Sequence, residues 1–153
     1  MPIAPASDDE LDRLEAQIDG WLRTALDENP IMVALDRGEP GDRRWFVRLA
    51  GEEKDFTTVW LRLGQRALHA ETYVMPAPEE NHAAVYEHLL RRNRGTHGIW
   101  FAIGEEDALF LVSQLPLDAV TEGHLDRLIG SMYDYVERFF KPALRLGFGS
   151  RFS

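Results

Sequence analysis

"RWFVRLAGEEKDFTTVWLRLGQRALHAETYVM", residues 44–75, decides the fold of this chain. Its apolar residues recur at every second position, the period of a β-strand whose side chains alternate between two faces. In 44–50, Trp45, Val47 and Leu49 share one face, with Phe46 and Arg48 on the other. In 56–63, Val59, Leu61 and Leu63 oppose Phe56, Trp60 and Arg62. In 66–75, Leu68, Ala70, Thr72 and Val74 oppose His69, Glu71 and Tyr73. The turns come from "GEEK" at 51–54 and "GQ" at 64–65. The second reads as a two-residue hairpin turn in which Gly64 is able to adopt positive φ. Three strands joined by short turns make an antiparallel meander.

Upstream of the meander, Ser7 and Glu10 have the spacing of a capping box, and Asp8 and Asp9 put negative charge in a first helical turn. Leu11, Leu14, Ile18, Trp21, Leu22 and Ala25 then recur at helical spacing until Pro30 stops the helix. Residues 31–43 read as a loop whose only extended piece lies at 31–35. Downstream, a second helix is expected at 78–93, with Val85, Tyr86, Leu89 and Leu90 as its apolar stripe and Gly95 past its end. Strands at 98–103 and 108–115 flank the turn "GEED", 104–107. A last helix runs from Thr121 to Phe140, where Lys141-Pro142 breaks or kinks it, and the tail beyond is partly docked. The element order is α-β-β-β-α-β-β-α. It defines an α+β domain: a largely antiparallel five-stranded sheet with helices packed on it. Residues 1–7 are expected to be disordered and 8–150 to form one domain.

Composition narrows the function classes. The chain has 153 residues, 44% of them apolar and 28% charged, as in an ordinary globular domain. It has no cysteine, which excludes disulfides and thiolate metal sites. No apolar run approaches the length of a membrane span, and the N-terminus lacks the pattern of a secretory signal, so the expected place is the cytoplasm. The net charge of −9 repels nucleic acid and anionic membranes. The one basic cluster, Arg91, Arg92 and Arg94, ends a helix, where cations complement its dipole.

The residues that look most like chemistry lie at 76–82. Pro78 suits a first helical position, and Glu79 and Glu80 then fall in the first turn. His82 is left over and is expected to hydrogen-bond within the chain. The competing reading takes Glu79 and His82 as a Glu-x-x-His pair on one helix face, completed by His69 and Glu71 into the site of a small metal-dependent enzyme. A second Glu-x-x-His pair is missing, as are nucleophile-elbow, P-loop and dinucleotide motifs. The helix start is the simpler account, and neither a catalytic residue nor a cofactor is expected.

The aromatics raise a different question. Trp45 and Phe46 are adjacent in one strand, as are Trp60 and Leu61, Trp100 and Phe101, and Phe110 and Leu111. Both faces of the sheet therefore carry large apolar groups, unlike a sheet with one wet face. The chain's own helices or a partner must cover the second face. The partner reading places Phe46, Trp60 and Tyr73 at the contact, with Arg48, Arg62 and Glu71 as its polar rim. A second copy of the chain is the expected occupant, giving a homodimer. In the rival arrangement the helix at 8–27 folds over that face with Trp21 as the plug.

"PAPEENHAAVYEHLLRRNR" (76–94), "FAIGEEDALFLVSQLPLDAV" (101–120) and "HLDRLIGSMYDYVERFF" (124–140) resemble the YbjN family of bacterial proteins. The resemblance covers roughly residues 42–150 and is closest to actinobacterial members. It implies the fold of type III secretion chaperones, proteins that bind extended client segments and form homodimers. It also implies a role in sensory transduction or stress regulation and no enzymatic activity. Glu79, Glu80, Asn81, His82, Arg91 and Asn93 are the signature positions the resemblance points to.

Overall fold

A computed structural model describes residues 4–151. The meander forms as its alternation requires: β2 is Arg44–Ala50, β3 Phe56–Leu63 and β4 Ala67–Met75. The extended piece expected at 31–35 forms a strand of the sheet, β1 (Met32–Arg37), which pairs with β2. The helices are α1 (Asp8–Glu28), α2 (His82–Asn93) and α3 (Glu122–Phe148). β5 (Ile99–Ile103) and β6 (Leu109–Pro116) complete a six-stranded sheet in the order β1-β2-β3-β4-β6-β5, with every neighbour antiparallel. The expected five strands thus become six. The sequence blurs β1 because a bulge between Met32 and Ala34 breaks its period. Met32 pairs with Leu49 and Leu35 with Val47, so two residues three apart face the same side.

The face carrying Trp45, Val47, Leu49, Val59, Leu61, Leu68 and Leu111 is buried. Leu11, Ile18 and Leu22 of α1, Val85 and Leu89 of α2, and Leu128, Met132 and Val136 of α3 join it in one core. Trp45 is fully buried, and its indole N–H donates to Asp19 of α1 at 3.2 Å. That bond satisfies the single polar atom of a large apolar side chain. The α1 start follows its sequence signal: the Ser7 hydroxyl accepts from the Glu10 N–H at 3.2 Å. The segment before it is not free, because the Ala6 N–H donates to Gln65 in the β3–β4 turn at 2.9 Å and Ala6 packs on the core. Of the segment 1–7, expected to be disordered, residues 1–3 lie outside the described residues.

One turn differs from expectation, and the expected turn at 104–107 has its own backbone requirement. Gly64 is not left-handed; its N–H meets the Ala67 carbonyl at 2.9 Å and closes the β3–β4 turn in ordinary backbone. In the β5–β6 turn Glu106 and Asp107 take positive φ, 57° and 58°. Gly104 is required there, since a Cβ would come within 2.4 Å of the Phe110 ring.

Helix α3 does not end at Pro142 but runs through it to Phe148. A proline inside a helix forfeits one backbone bond. Burial of Ala143, Gly147 and Phe148 on the far side offsets that loss. α3 also fastens the β2–β3 turn. The Glu137 carboxylate accepts from the N–H groups of Glu52 (3.0 Å) and Glu53 (2.7 Å), and the Tyr133 hydroxyl donates to the Ala50 carbonyl at 3.0 Å. No described helix is long and apolar enough to cross a membrane.

Candidate functional site

The 76–81 segment is not the first turn of a helix. α2 starts at His82, and Asn81 ahead of it is left-handed (φ 54°, ψ 39°). Glu79 and Glu80 belong instead to the far end of α3. Their backbone N–H groups donate to the Gly147 carbonyl at 3.0 and 3.1 Å, and the Asn81 amide donates to the Leu146 carbonyl at 2.9 Å. The last carbonyls of a helix have no partner within it. Here a distant segment supplies the donors. The Glu80 carboxylate accepts from the Ser150 N–H (2.7 Å) and hydroxyl (2.9 Å), and the Arg151 guanidinium pairs with Glu79. These contacts hold both carboxyls below their usual range, the Ser150 N–H acting on Glu80 and the Arg151 hydrogen bond on Glu79. Pro78 is buried against Gly147, where a Cβ would stand 3.0 Å from the Pro78 ring.

The other signature positions divide in the same way. Asn93 serves the edge strand β5: its side-chain oxygen accepts from the Phe101 N–H at 2.6 Å and its amide donates to the Phe101 carbonyl at 3.3 Å. One side chain thus does for β5 what a neighbouring strand would do. Arg91 is exposed and pairs with Glu87 one turn back at 3.1 Å. His82 is exposed and, among the described residues, makes no hydrogen bond; its ring meets Tyr86 edge-on at 6.3 Å. The expected intramolecular bond of His82 is thus not formed. Leu90, placed in the apolar stripe of α2 by its spacing, is 67% exposed.

The metal-site reading finds no geometry. His69 and Glu71 lie on β4, facing away from the helices, while Glu79 is bound to Arg151 at the end of α3. Among the described residues no three histidine or carboxylate side chains are grouped to hold a metal ion.

The residues expected at a partner contact, by contrast, share one face of the sheet. The strand registers place Asp36, Phe46, Trp60, Glu71, Val112 and Trp100 in one row across all six strands. Arg44 and Arg62 pair on one side of that row, with His69 next to Arg62. Tyr73 lies on the other side, its ring edge-on to Phe110 at 5.7 Å. Arg48 covers Phe56 at 3.9 Å. Trp60 and Trp100 remain 40% and 43% exposed, which is high for indoles. Around them is a shallow depression of about 400 Å³. Partial burial, with Glu105 nearby, pushes the Glu71 carboxyl up, and burial beside Arg62 pushes the His69 imidazole down.

Helix α1 does not cover this face. It lies on the Trp45 side, and Trp21 lines a gap of about 620 Å³ between α1 and α3. Arg44, Trp100 and Val112 of the open face did not stand out in the sequence as contact residues. Alternation places Trp100 opposite Phe101, but only the β4–β6 pairing carries it to the same surface as Trp60.

Residues 15–145 match the model of the YbjN family, described as "Putative bacterial sensory transduction regulator", and the chain belongs to that family. It is 35% identical over 130 residues to an uncharacterised protein of Mycobacterium leprae (strain TN), covering 84% of this chain and 71% of that one. An uncharacterised protein of Mycobacterium tuberculosis (strain ATCC 25618 / H37Rv) is 36% identical over 104 residues, 68% of this chain; the chain spans little more than half, 57%, of that relative. Among solved structures, the ExsC–ExsE complex matches with a TM-score of 0.59 at 18% identity, over 84% of this chain and 94% of the other. The Yersinia pestis type III secretion chaperone SycH, solved with a fragment of YscM2, matches with a TM-score of 0.50 at 18% identity, over 76% and 94%. At these identities the likeness is one of fold: the α+β fold of type III secretion chaperones.

Proposed function

We propose that this protein is a non-enzymatic, chaperone-like or regulatory binding module of the YbjN family that works through protein contact. One observation carries the reading: the helices pack on one side of the sheet and leave the row from Phe46 through Trp60 to Trp100 uncovered. Structural neighbours solved in complex with proteins support it.

The occupant of the open face is a second copy of the chain. Six strands about 4.8 Å apart and some 20 Å long present a patch of roughly 500 Å², so two copies bury about 1,000 Å², the lower bound of a specific interface. The chain as a whole carries a charge of −9 and repels its own copy. On this face Arg44, Arg48 and Arg62 offset Asp36 and Glu71, so repulsion there is weakest. Phe46, Trp60 and Tyr73 are its anchors.

Light scattering over a range of concentrations tests this. The expected result is a dimeric mass that falls to the monomer in Trp60→Glu with unchanged circular dichroism. A monomer at every concentration removes the second copy from the face.

A further inference from the structure

Helices α1 and α3 lie on the same side of the sheet yet barely touch each other. The groove between them, about 620 Å³, runs along α3 from Glu122 to Tyr133, about 16 Å or three helical turns. Its floor is apolar: Leu22, Leu125 and Ile129 are buried beneath it, with Trp21 and Tyr133 half-buried as walls. Its rim is acidic. Glu28, Glu122 and Asp126 line it, none of them in an ion pair among the described residues, and no Lys, Arg or His lines it. Two further lining positions, Gly123 and Gly130, are seven residues apart on α3, and a Cβ at either would meet open space. Glycine weakens an exposed helix interior relative to alanine, as at Gly130, and packing within this chain requires it neither there nor at Gly123 in the first turn. Its one local effect is a smooth flank that lets another backbone approach closely.

We infer that this groove receives an amphipathic helix of a partner protein, three to four turns long, with an apolar face and flanking lysines or arginines. Apolar floor and unpaired acidic rim are the complement of that ligand, and a helix laid in a groove between helices is a recurrent recognition mode. The site lies on the opposite side of the sheet from Trp60, so it is independent of the dimer proposed above.

The probe is a fluorescein-labelled 14-residue peptide, LKKLLKLLKKLLKL, with a Leu/Glu peptide of the same pattern as control. The expected result is saturable one-to-one binding of the lysine peptide and none of the glutamate peptide. Affinity should fall at least tenfold in Glu122→Lys/Asp126→Lys and in Gly130→Leu or Gly123→Leu, which fill the groove. It should hold within twofold in Glu39→Lys/Asp42→Lys, which changes net charge equally on the distant β1–β2 loop, and in Trp60→Glu. Equal weakening in the two charge-reversed variants would mean general attraction to an acidic protein and overturn the proposal. Absence of binding, or full affinity in both glycine variants, overturns it too. If Gly130→Leu turned a dimeric protein into a monomer, the groove would be a self-contact and the partner helix would be excluded.

Discussion

At the scale of single residues, the signature amino acids act mainly on backbone. Asn81 combines two roles, a left-handed backbone and a hydrogen bond to the α3 terminus. Asn81→Ala loses both and should cost about 2 kcal/mol, while Asn81→Gly keeps the backbone and should cost about 1 kcal/mol. Urea unfolding of the two variants separates the terms. His82→Ala, at an exposed position, should change stability by less than about 0.5 kcal/mol in the same assay. Lys54 carries a pH signature. Its ammonium donates to the carbonyls of Tyr73 (2.9 Å) and Val74 (3.2 Å) close to the Phe140 ring, and burial pushes its pKa down from 10.5 to about 8. Below pH 8 folded and unfolded chains both hold this proton and the cost of burying the charge is constant. Between about 8 and 10.5 only the unfolded chain keeps it, so stability rises with pH across that window. The stability of wild type relative to Lys54→Met should therefore increase between pH 8 and 10 in urea titrations. A flat or falling difference would refute this assignment.

At the scale of elements, period and capping were legible where each element answers to its own sequence. β2, β3 and β4 follow their alternation, and α1 follows Ser7. The misreadings occur where one segment serves another. Glu79 and Glu80 look like a first turn of α2 but bind the end of α3. Pro142 looks like a helix stop, but packing carries α3 beyond it. Glu137 shows the same dependence at the β2–β3 turn, whose N–H groups it holds from 84 and 85 residues away. Glu137→Ala should lower stability by about 1–2 kcal/mol, since two backbone donors lose an ionised acceptor. Hydrogen exchange should quicken at Glu52 and Glu53 before it does in the β2 and β3 ladders. Uniform loss of protection would argue against a local fastening.

At the scale of the whole molecule, the sheet separates two surfaces with different demands. The Trp45 side is filled by the chain itself, and the Trp60 side is not. Exposed Trp60 contributes little to the monomer core, so Trp60→Glu should leave the folded monomer nearly as stable. A dimer links stability to concentration by mass action. The wild-type melting temperature should rise with protein concentration, and that of Trp60→Glu should not. Equal concentration independence in both proteins would count against the self-contact.

The sequence by itself determined the α+β class, the meander and the faces of β2, β3 and β4, because these depend on spacing along one segment. It also marked Phe46, Trp60 and Tyr73 as candidates on a second apolar face. It did not determine that β6 would lie beside β4, carrying Val112 and Trp100 onto that face. Nor did it determine that α1 would take the Trp45 side, or that 76–81 would finish a helix ending some 65 residues later. Those outcomes come from pairing between distant segments, which bury apolar surface and satisfy backbone groups jointly. Local periodicity says which groups need partners, and only the tertiary structure says where the partners come from.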